Sequence, residues 1–149
     1  MPSFPGMGYP LVPGYESVGR VIQADAQQRH TVGQRVFVPG STCFVDVRGL
    51  FGGAASRLIV PAMRAVAVAE NLGEEVILYA LAATAYHVTS GLGNEQPDLI
   101  VGHGVLGRLL ARIAVLAGKQ PVVWEIDPQR REGAVGYEVV DPNTCAAAK

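Results

Sequence analysis

The sequence predicts an α/β protein in which part of a β-barrel is followed by part of a doubly wound parallel sheet. Short apolar runs separated by Gly and Pro fill the first half of the chain, which is typical of a small barrel. Strand-like and helix-like segments alternate in the second half. A glycine-rich turn joins the first of those strands to the first of those helices.

The composition is that of a chain that forms a hydrophobic core. Of its 149 residues, 49% are hydrophobic and 17% are charged. The net charge of -1 gives no electrostatic reason to expect nucleic acid or an anionic membrane surface as a partner. No apolar window is long enough for a transmembrane helix, and Cys43 and Cys145 lie too far apart in sequence to suggest a disulfide framework. We therefore expect a cytoplasmic protein.

The first half is expected to contain strands joined by loops. Residues 1–14 are rich in proline and are predicted to be a loop. Alternation then predicts three strands, followed by a further alternating segment from Met63 to Glu70. The three predicted strands are Tyr15–Ile22, Val32–Pro39 and Ala55–Pro61.

A helix is predicted where the barrel part ends. Asn71 is expected to cap a helix over Glu74–Thr89, and the acidic residues in its first turn suit the helix dipole. The domain boundary is therefore placed at residue 75, with the barrel part over 1–74 and the α/β part over 75–149. Ser90–Pro97 is predicted to be a loop.

The second half is predicted to alternate between strands and helices. In order, we expect a strand ending at Val101, a helix over Arg108–Ala117, a strand over Pro121–Glu125, a capped short helix over Asp127–Glu132 and a strand over Gly136–Val140. A doubly wound sheet usually has about six strands, and only about three are predicted here. We therefore expect the chain to be an internal part of a longer protein.

The glycine turn predicts a site for a dinucleotide. Gly102 permits a sharp exit from the strand, Gly104 lets the backbone approach a pyrophosphate, and Gly107 lets the helix pack against the sheet. The N–H groups at the start of the helix face the anion. The intervening residues, expected to contribute mainly through their backbone, are His103, Val105 and Leu106.

The acidic residue at the end of the next strand favours NAD over NADP. Glu125 follows Gly107 by 18 residues, where a carboxylate binds both ribose hydroxyls and repels a 2′-phosphate. Arg130 is also a candidate cofactor contact, and together with Arg131 it keeps NADP open as an alternative. Methyltransferases share a glycine turn and a following acidic residue, but the barrel-like sequence segments before the turn argue against that class.

Several strings resemble the medium-chain dehydrogenase/reductase superfamily in their order and spacing. They are Gly14–Val21, Val32–Val36, Phe51–Pro61, Ala83–His87 and the glycine turn. The resemblance implies a GroES-like β-barrel that binds substrate, followed by a Rossmann domain that binds NAD.

Three longer strings resemble one branch of that superfamily, whose members act on bacteriochlorophyllide. They are Phe4–Gly19, Val47–Arg57 and Leu99–Arg112. This resemblance implies a small-molecule tetrapyrrole substrate, oxidation of its 3-(1-hydroxyethyl) group to acetyl with NAD, and a possible homo-oligomer. A zinc-free quinone reductase that uses NADPH, and an inactive truncated cofactor-binding module, remain open as alternatives.

The sequence departs from the zinc-dependent members of the superfamily. Tyr15 stands where they carry a ligand histidine, and no cysteine lies near Ala80, where a second ligand is expected. Those enzymes also carry four clustered cysteines in a structural zinc lobe, and this chain has only Cys43 in the corresponding region. Because a catalytic zinc needs three protein ligands, we expect no metal in either position.

The resemblance makes three side chains candidates for catalysis. Tyr15 takes the former ligand position near the reacting centre, but its phenol, with an ordinary pKa of about 10, is a poor base unless a nearby charge lowers it. Packing against the substrate is its alternative role. Glu16 either orients a neighbour or holds the barrel, and His87 is either a proton relay or a packing residue. The segment Phe44–Phe51 could line a pocket for a large flat pigment.

Overall fold

The computed structural model describes residues 8–24, 29–91 and 96–144. Its internal contacts divide the chain into two compact units, Met1–Ala80 and Leu81–Lys149, and each is described by itself. Because this division falls inside the helix Tyr79–Ser90, the domain boundary at residue 75 stays a prediction. Cys145 and the middle of the expected loop Ser90–Pro97 lie outside the described residues.

The first unit contains two small sheets. Strands β1 (Leu11–Val12) and β4 (Arg48–Gly49) pair in parallel. An antiparallel sheet has the order β2, β3, β5, and its strands are Ser17–Arg20, Arg35–Val38 and Val66–Ala67. Short 3₁₀ helices cover Ala62–Arg64 and Glu74–Leu78. This arrangement of short strands confirms the predicted β character of the first half.

The central strand β3 supplies the core of the first unit. Val36, Phe37 and Val38 are all buried, and the Phe37 ring lies 5.4 Å from that of Tyr79. A strand that is paired on both sides and buried along its length has a continuous run of apolar residues in its sequence. The predicted strand Val32–Pro39 is therefore confirmed, with the ordered ladder limited to its middle.

Three predictions for the first unit are wrong. Residues Leu11–Val12 are not loop, because they pair with Arg48–Gly49. Ala55–Pro61 forms no strand: no partner strand for it lies in the described part of the chain, and Ile59 is 80% exposed. Asn71 does not cap the following helix. The cap is Gly73, whose N–H donates to Oε1 of Glu75 over 2.9 Å.

The second unit is built on a parallel sheet. Strands β6 (Leu99–Val101), β7 (Val122–Trp124) and β8 (Glu138–Val140) lie in that order, with Leu99 opposite Val122 and Val122 opposite Glu138. Helix α1 covers Tyr79–Ser90 and begins after the 3₁₀ turn, whereas a single helix from Glu74 was predicted.

Helix α2 (Val105–Leu116) connects β6 to β7 and packs closely on the sheet. Its buried residues are Gly107, Ala111 and Ala114, which share one face and carry little or no side chain. Ala111 meets Ile100 and Val123 in the core cluster. The helix begins three residues before the predicted Arg108, because the turn leads into it directly.

Among the described residues, no helix is both long enough and apolar enough to cross a membrane.

Candidate dinucleotide-binding site

Three chain segments meet at the carboxyl edge of the parallel sheet. Gly102 follows β6, Glu125 follows β7 and Asp141 follows β8. In open α/β sheets, ligands bind in the crevice beyond these strand ends. The predicted cofactor residues therefore gather at the edge where such a site belongs.

Each of the three glycines occupies a different environment. Gly102 has a φ of +98°, a left-handed conformation that favours glycine, and its N–H donates to the carbonyl of Trp124 over 2.7 Å. A Cβ on Gly107 would overlap the carbonyl oxygen of Gly102. A Cβ on Gly104 would meet no atom within 4 Å. The turn thus needs glycine at 102 and 107 to fold, whereas at 104 glycine leaves open space.

The start of α2 offers unsatisfied donors. Gly104 is the N-cap and no side chain caps the helix, so the N–H groups of the first turn lack intrahelical partners. Val105 is 50% and Leu106 39% exposed. The first-turn residues are therefore accessible, and a helix N-terminus of this kind attracts an anion.

Glu125 reaches back to the glycine turn. Its Oε2 accepts a hydrogen bond from the His103 N–H, and its Oε1 accepts one from the Asp127 N–H, each over 2.9 Å. The residue is 8% exposed. The bonds from Asp127 and His103 hold the pKa of the Glu125 carboxyl below its ordinary value, against the opposing effect of burial. The carboxylate is therefore charged at neutral pH and lies beside the turn.

His103 is buried and hydrogen-bonded at both ring nitrogens. Nδ1 lies 2.6 Å from the carbonyl oxygen of Arg130, and Nε2 lies 2.7 Å from the hydroxyl of Tyr137. Arg108 adds bonds from Nε to the His103 carbonyl and from its terminal nitrogen to the Arg130 carbonyl, over 3.1 and 3.0 Å. The His103 ring is thus engaged within the protein.

The two arginines considered for a phosphate have different surroundings. Arg131 donates to the backbone carbonyls of Glu125 and Ile126 and forms an ion pair with Asp141 over 2.7 Å. Arg130 is 65% exposed and forms an ion pair with Asp127 over 3.4 Å. Arg131 is therefore committed to holding the strand ends together, and Arg130 has the more accessible guanidinium group.

The candidate catalytic residues lie in separate units. Tyr15 and Glu16 belong to the first unit, and His87 lies exposed on α1 in the second. Tyr15 is 48% exposed, and its ring meets Phe51 edge-on with 4.9 Å between centroids. Oε1 of Glu16 is buried, and no hydrogen-bond partner for it lies among the described residues. The catalytic roles of these three residues stay predictions.

The loop that carries Phe51 is held by its backbone. Phe51 adopts a φ of +65°, which is uncommon outside glycine, and its carbonyl accepts a bond from the Ser41 N–H over 2.7 Å. Gly52 also has a positive φ, and a Cβ there would overlap the Ser41 carbonyl oxygen. The loop geometry leaves Phe51 52% and Val45 94% exposed. This segment therefore presents apolar side chains to solvent.

No metal-binding group was found within residues 8–24, 29–91 and 96–144: no three His, Cys, Asp or Glu side chains there are close enough to share an ion. Cys43 is a free thiol, and bonds from Ser41 and Ile59 lower its pKa.

Sequence reasoning missed two residues that hold the site together. Tyr137 binds the His103 ring from 34 positions away, and Arg108 binds the carbonyls of His103 and Arg130. The only sequence signal for Tyr137 was that it is an amphipathic residue in the predicted strand Gly136–Val140. The Asp127 cap was predicted and is confirmed, because its Oδ1 accepts from the Gln129 N–H over 3.0 Å.

The pH dependence of stability should report the Glu125 contacts. A carboxyl whose pKa is lowered by folding stabilises the native state above its unfolded pKa, about 4.3 for glutamate, and loses that contribution as the pH falls through the folded pKa. We expect the stability advantage of the wild type over Glu125→Gln to be constant near pH 7 and to shrink below about pH 4.3. Urea denaturation of both full-length proteins between pH 3 and 7 measures this; a difference that grows on acidification would contradict it.

Residues 2–70 match the family model of the alcohol dehydrogenase GroES-like domain. The fold of the chain is similar to that of CAD from Helicobacter pylori complexed with NADP(H), with a TM-score of 0.72, 19% identity and coverage of 93% of this chain and 50% of that one. It is also similar to a short chain alcohol dehydrogenase from E. coli CFT073 complexed with NADH, with a TM-score of 0.67, 20% identity and coverage of 93% and 49%.

Two curated relatives are much more similar in sequence. Both are named 2-desacetyl-2-hydroxyethyl bacteriochlorophyllide A dehydrogenase. The protein of Rhodobacter capsulatus is 58% identical over 95% of this chain and 46% of its own length. That of Cereibacter sphaeroides is 57% identical over 97% of this chain and 47% of its own length. The chain thus spans about half the length of the curated relatives it matches.

Proposed function

We propose that the protein oxidises the hydroxyethyl group of a bacteriochlorophyllide to acetyl, with NAD as the hydride acceptor, in bacteriochlorophyll biosynthesis. The observation that carries this proposal is the identity of 57–58% with two relatives named for this substrate, maintained over at least 95% of the chain. The geometry of the glycine turn supports the choice of a nicotinamide dinucleotide.

The residues present fit the cofactor. Open space beside Gly104 admits a pyrophosphate to the backbone, and the start of α2 supplies donors to its oxygens. The Glu125 carboxylate is held beside the turn and keeps its charge, so it would accept hydrogen bonds from the ribose hydroxyls and repel a 2′-phosphate. When bound, NAD supplies the acceptor for the hydride that leaves the alcohol carbon.

The remaining chemistry is removal of the hydroxyl proton. As the hydride leaves, the alcohol oxygen must lose its proton, and a group beside it must stabilise the developing negative charge. We assign the stabilisation of that charge to the Tyr15 hydroxyl, which would donate a hydrogen bond to the alcohol oxygen while the proton passes to solvent, because the side chain is half exposed and stands at the position of a zinc ligand in related enzymes. Zinc is not part of this proposal, and stoichiometric zinc in the purified full-length protein would contradict it.

Replacing Tyr15 with Phe should lower kcat by about 100-fold, because removing one hydrogen-bond donor from a developing oxyanion costs about that much. KM for the pigment should change little, since the ring and its contact with Phe51 remain. Turnover of the bacteriochlorophyllide by full-length enzyme measures both. Tyr86→Phe, the same change at an exposed helix position, is the matched control. An undiminished rate in Tyr15→Phe would show that Tyr15 only packs.

The proposed function itself is tested with the full-length protein, NAD and the hydroxyethyl pigment. We expect formation of the acetyl pigment together with NADH, followed by absorbance. Equilibrium binding should also show that NADH binds and that S-adenosylmethionine does not. Reduction of a quinone with NADPH, without pigment oxidation, would support the quinone reductase alternative. The accessible Arg130 guanidinium group is the observation that favours that alternative.

We also propose that the full-length protein lies in the cytoplasm and forms a homo-oligomer. Sedimentation of the purified protein measures the oligomeric state.

A further inference from the structure

The buried His103 ring performs no step in the proposed chemistry, yet it is fully engaged. It is 1% exposed, and its ring packs edge-on against Tyr137 with 5.5 Å between centroids. A buried imidazole needs hydrogen-bond partners, and this ring has one at each of its two nitrogens. Its contacts therefore call for an explanation beyond space filling.

The hydrogen-bond partners of His103 define where its proton lies. The Arg130 carbonyl can only accept, so Nδ1 carries the hydrogen and donates it over 2.6 Å. In the neutral ring, Nε2 is then an acceptor, and the Tyr137 hydroxyl donates to it over 2.7 Å. Both bonds have one direction, so the ring is held in a single orientation between two segments that follow β7.

The backbone of the same residue binds Glu125. The His103 N–H donates to Oε2 of Glu125, while the His103 carbonyl accepts from Arg108. The ring, the N–H and the carbonyl of His103 thus each form hydrogen bonds with different residues of the second unit. Because the ring cannot turn, the N–H keeps its direction towards the Glu125 carboxylate.

We infer that His103 is a positioning residue that acts through its own N–H to hold the Glu125 carboxylate for the adenosine ribose, and thereby sets the preference for NAD over NADP. The inference rests on the proposed function, because it needs a nicotinamide dinucleotide at this edge. A carboxylate that loses this anchor rotates away from the ribose, so it accepts its hydroxyls less well and repels a 2′-phosphate less strongly. Tyr137 contributes by fixing the ring.

The test compares NADH and NADPH binding by calorimetry in full-length variants. For His103→Ala we expect the Kd for NADH to rise about 10-fold and the ratio of the NADPH Kd to the NADH Kd to fall by a similar factor. Tyr137→Phe removes only the hydroxyl and should shift the same ratio about 3-fold. His103→Asn keeps a donor for the Arg130 carbonyl and should recover part of the ratio.

The controls separate positioning from simple stabilisation. Tyr86→Phe should leave the ratio unchanged, because that hydroxyl lies on an exposed part of α1. A folded Tyr137→Phe protein whose ratio equals that of the wild type would overturn the inference, even if His103→Ala does not fold. Wild-type protein that binds neither dinucleotide would overturn the proposed function, and this inference with it.

Discussion

Gly107→Ala should destabilise the full-length protein by about 3 kcal/mol, a value at the upper end for adding atoms to a packed interior. The new methyl group would overlap the carbonyl oxygen of Gly102, and that oxygen belongs to the backbone of the turn. Relief requires α2 to move away from the sheet that it packs against through Ala111 and Ala114. Urea denaturation followed by circular dichroism measures the loss, and NADH affinity should fall with it.

Gly104→Ala is the matched control and should have the opposite profile. Its φ of -74° suits alanine and the added methyl meets open space, so stability should stay within about 0.5 kcal/mol of the wild type. NADH should nevertheless bind at least about 10-fold more weakly, because the methyl takes the space through which the pyrophosphate approaches. Wild-type affinity in Gly104→Ala would contradict the placement of the cofactor.

Glu125→Ala should raise the Kd for NADH by about 100-fold, since the ribose hydroxyls would lose their hydrogen bonds to a charged acceptor. The Kd for NADPH should change much less, because the variant also loses a charge that repels the 2′-phosphate. Calorimetric titration of the full-length protein with both dinucleotides measures the two constants.

The control for this change is Glu138→Ala, which removes an exposed carboxylate from the neighbouring strand β8. It should leave both dissociation constants unchanged. Glu125→Ala also strips an acceptor from the N–H groups of His103 and Asp127, so its stability should be measured in parallel. If the variant is folded and the ratio of the two constants is unchanged, Glu125 does not select the cofactor.

The second half of the fold was predictable because its signals are local. The glycine spacing predicted the turn, and helical periodicity predicted α2. Gly118, with a φ of +81°, follows the C-cap of that helix, where glycine is common. The position of Glu125 at a strand end also follows from the order of elements. Each of these features depends on residues that lie close to one another in the sequence.

The features that were missed depend on residues far apart in sequence. The pairing of Leu11 with Arg48 turns a proline-rich segment into a strand, and nothing near Leu11 indicates its partner. In the reverse case, the run Ala55–Pro61 has strand propensity but lacks a partner in the described residues. The partner of the His103 ring lies 34 positions away, so side-chain pairing at the site also required the structure.

The parallel sheet of the second unit has a consequence for the order of folding. Its strands pair Leu99 with Val122 and Val122 with Glu138, which are 23 and 16 positions apart, so the sheet can assemble with short loop closures. The first unit must instead join Leu11 to Arg48 and Val36 to Ala67 across longer separations. Lower contact order favours earlier assembly, so the nucleotide-binding edge should acquire protection from amide hydrogen exchange before the barrel strands do.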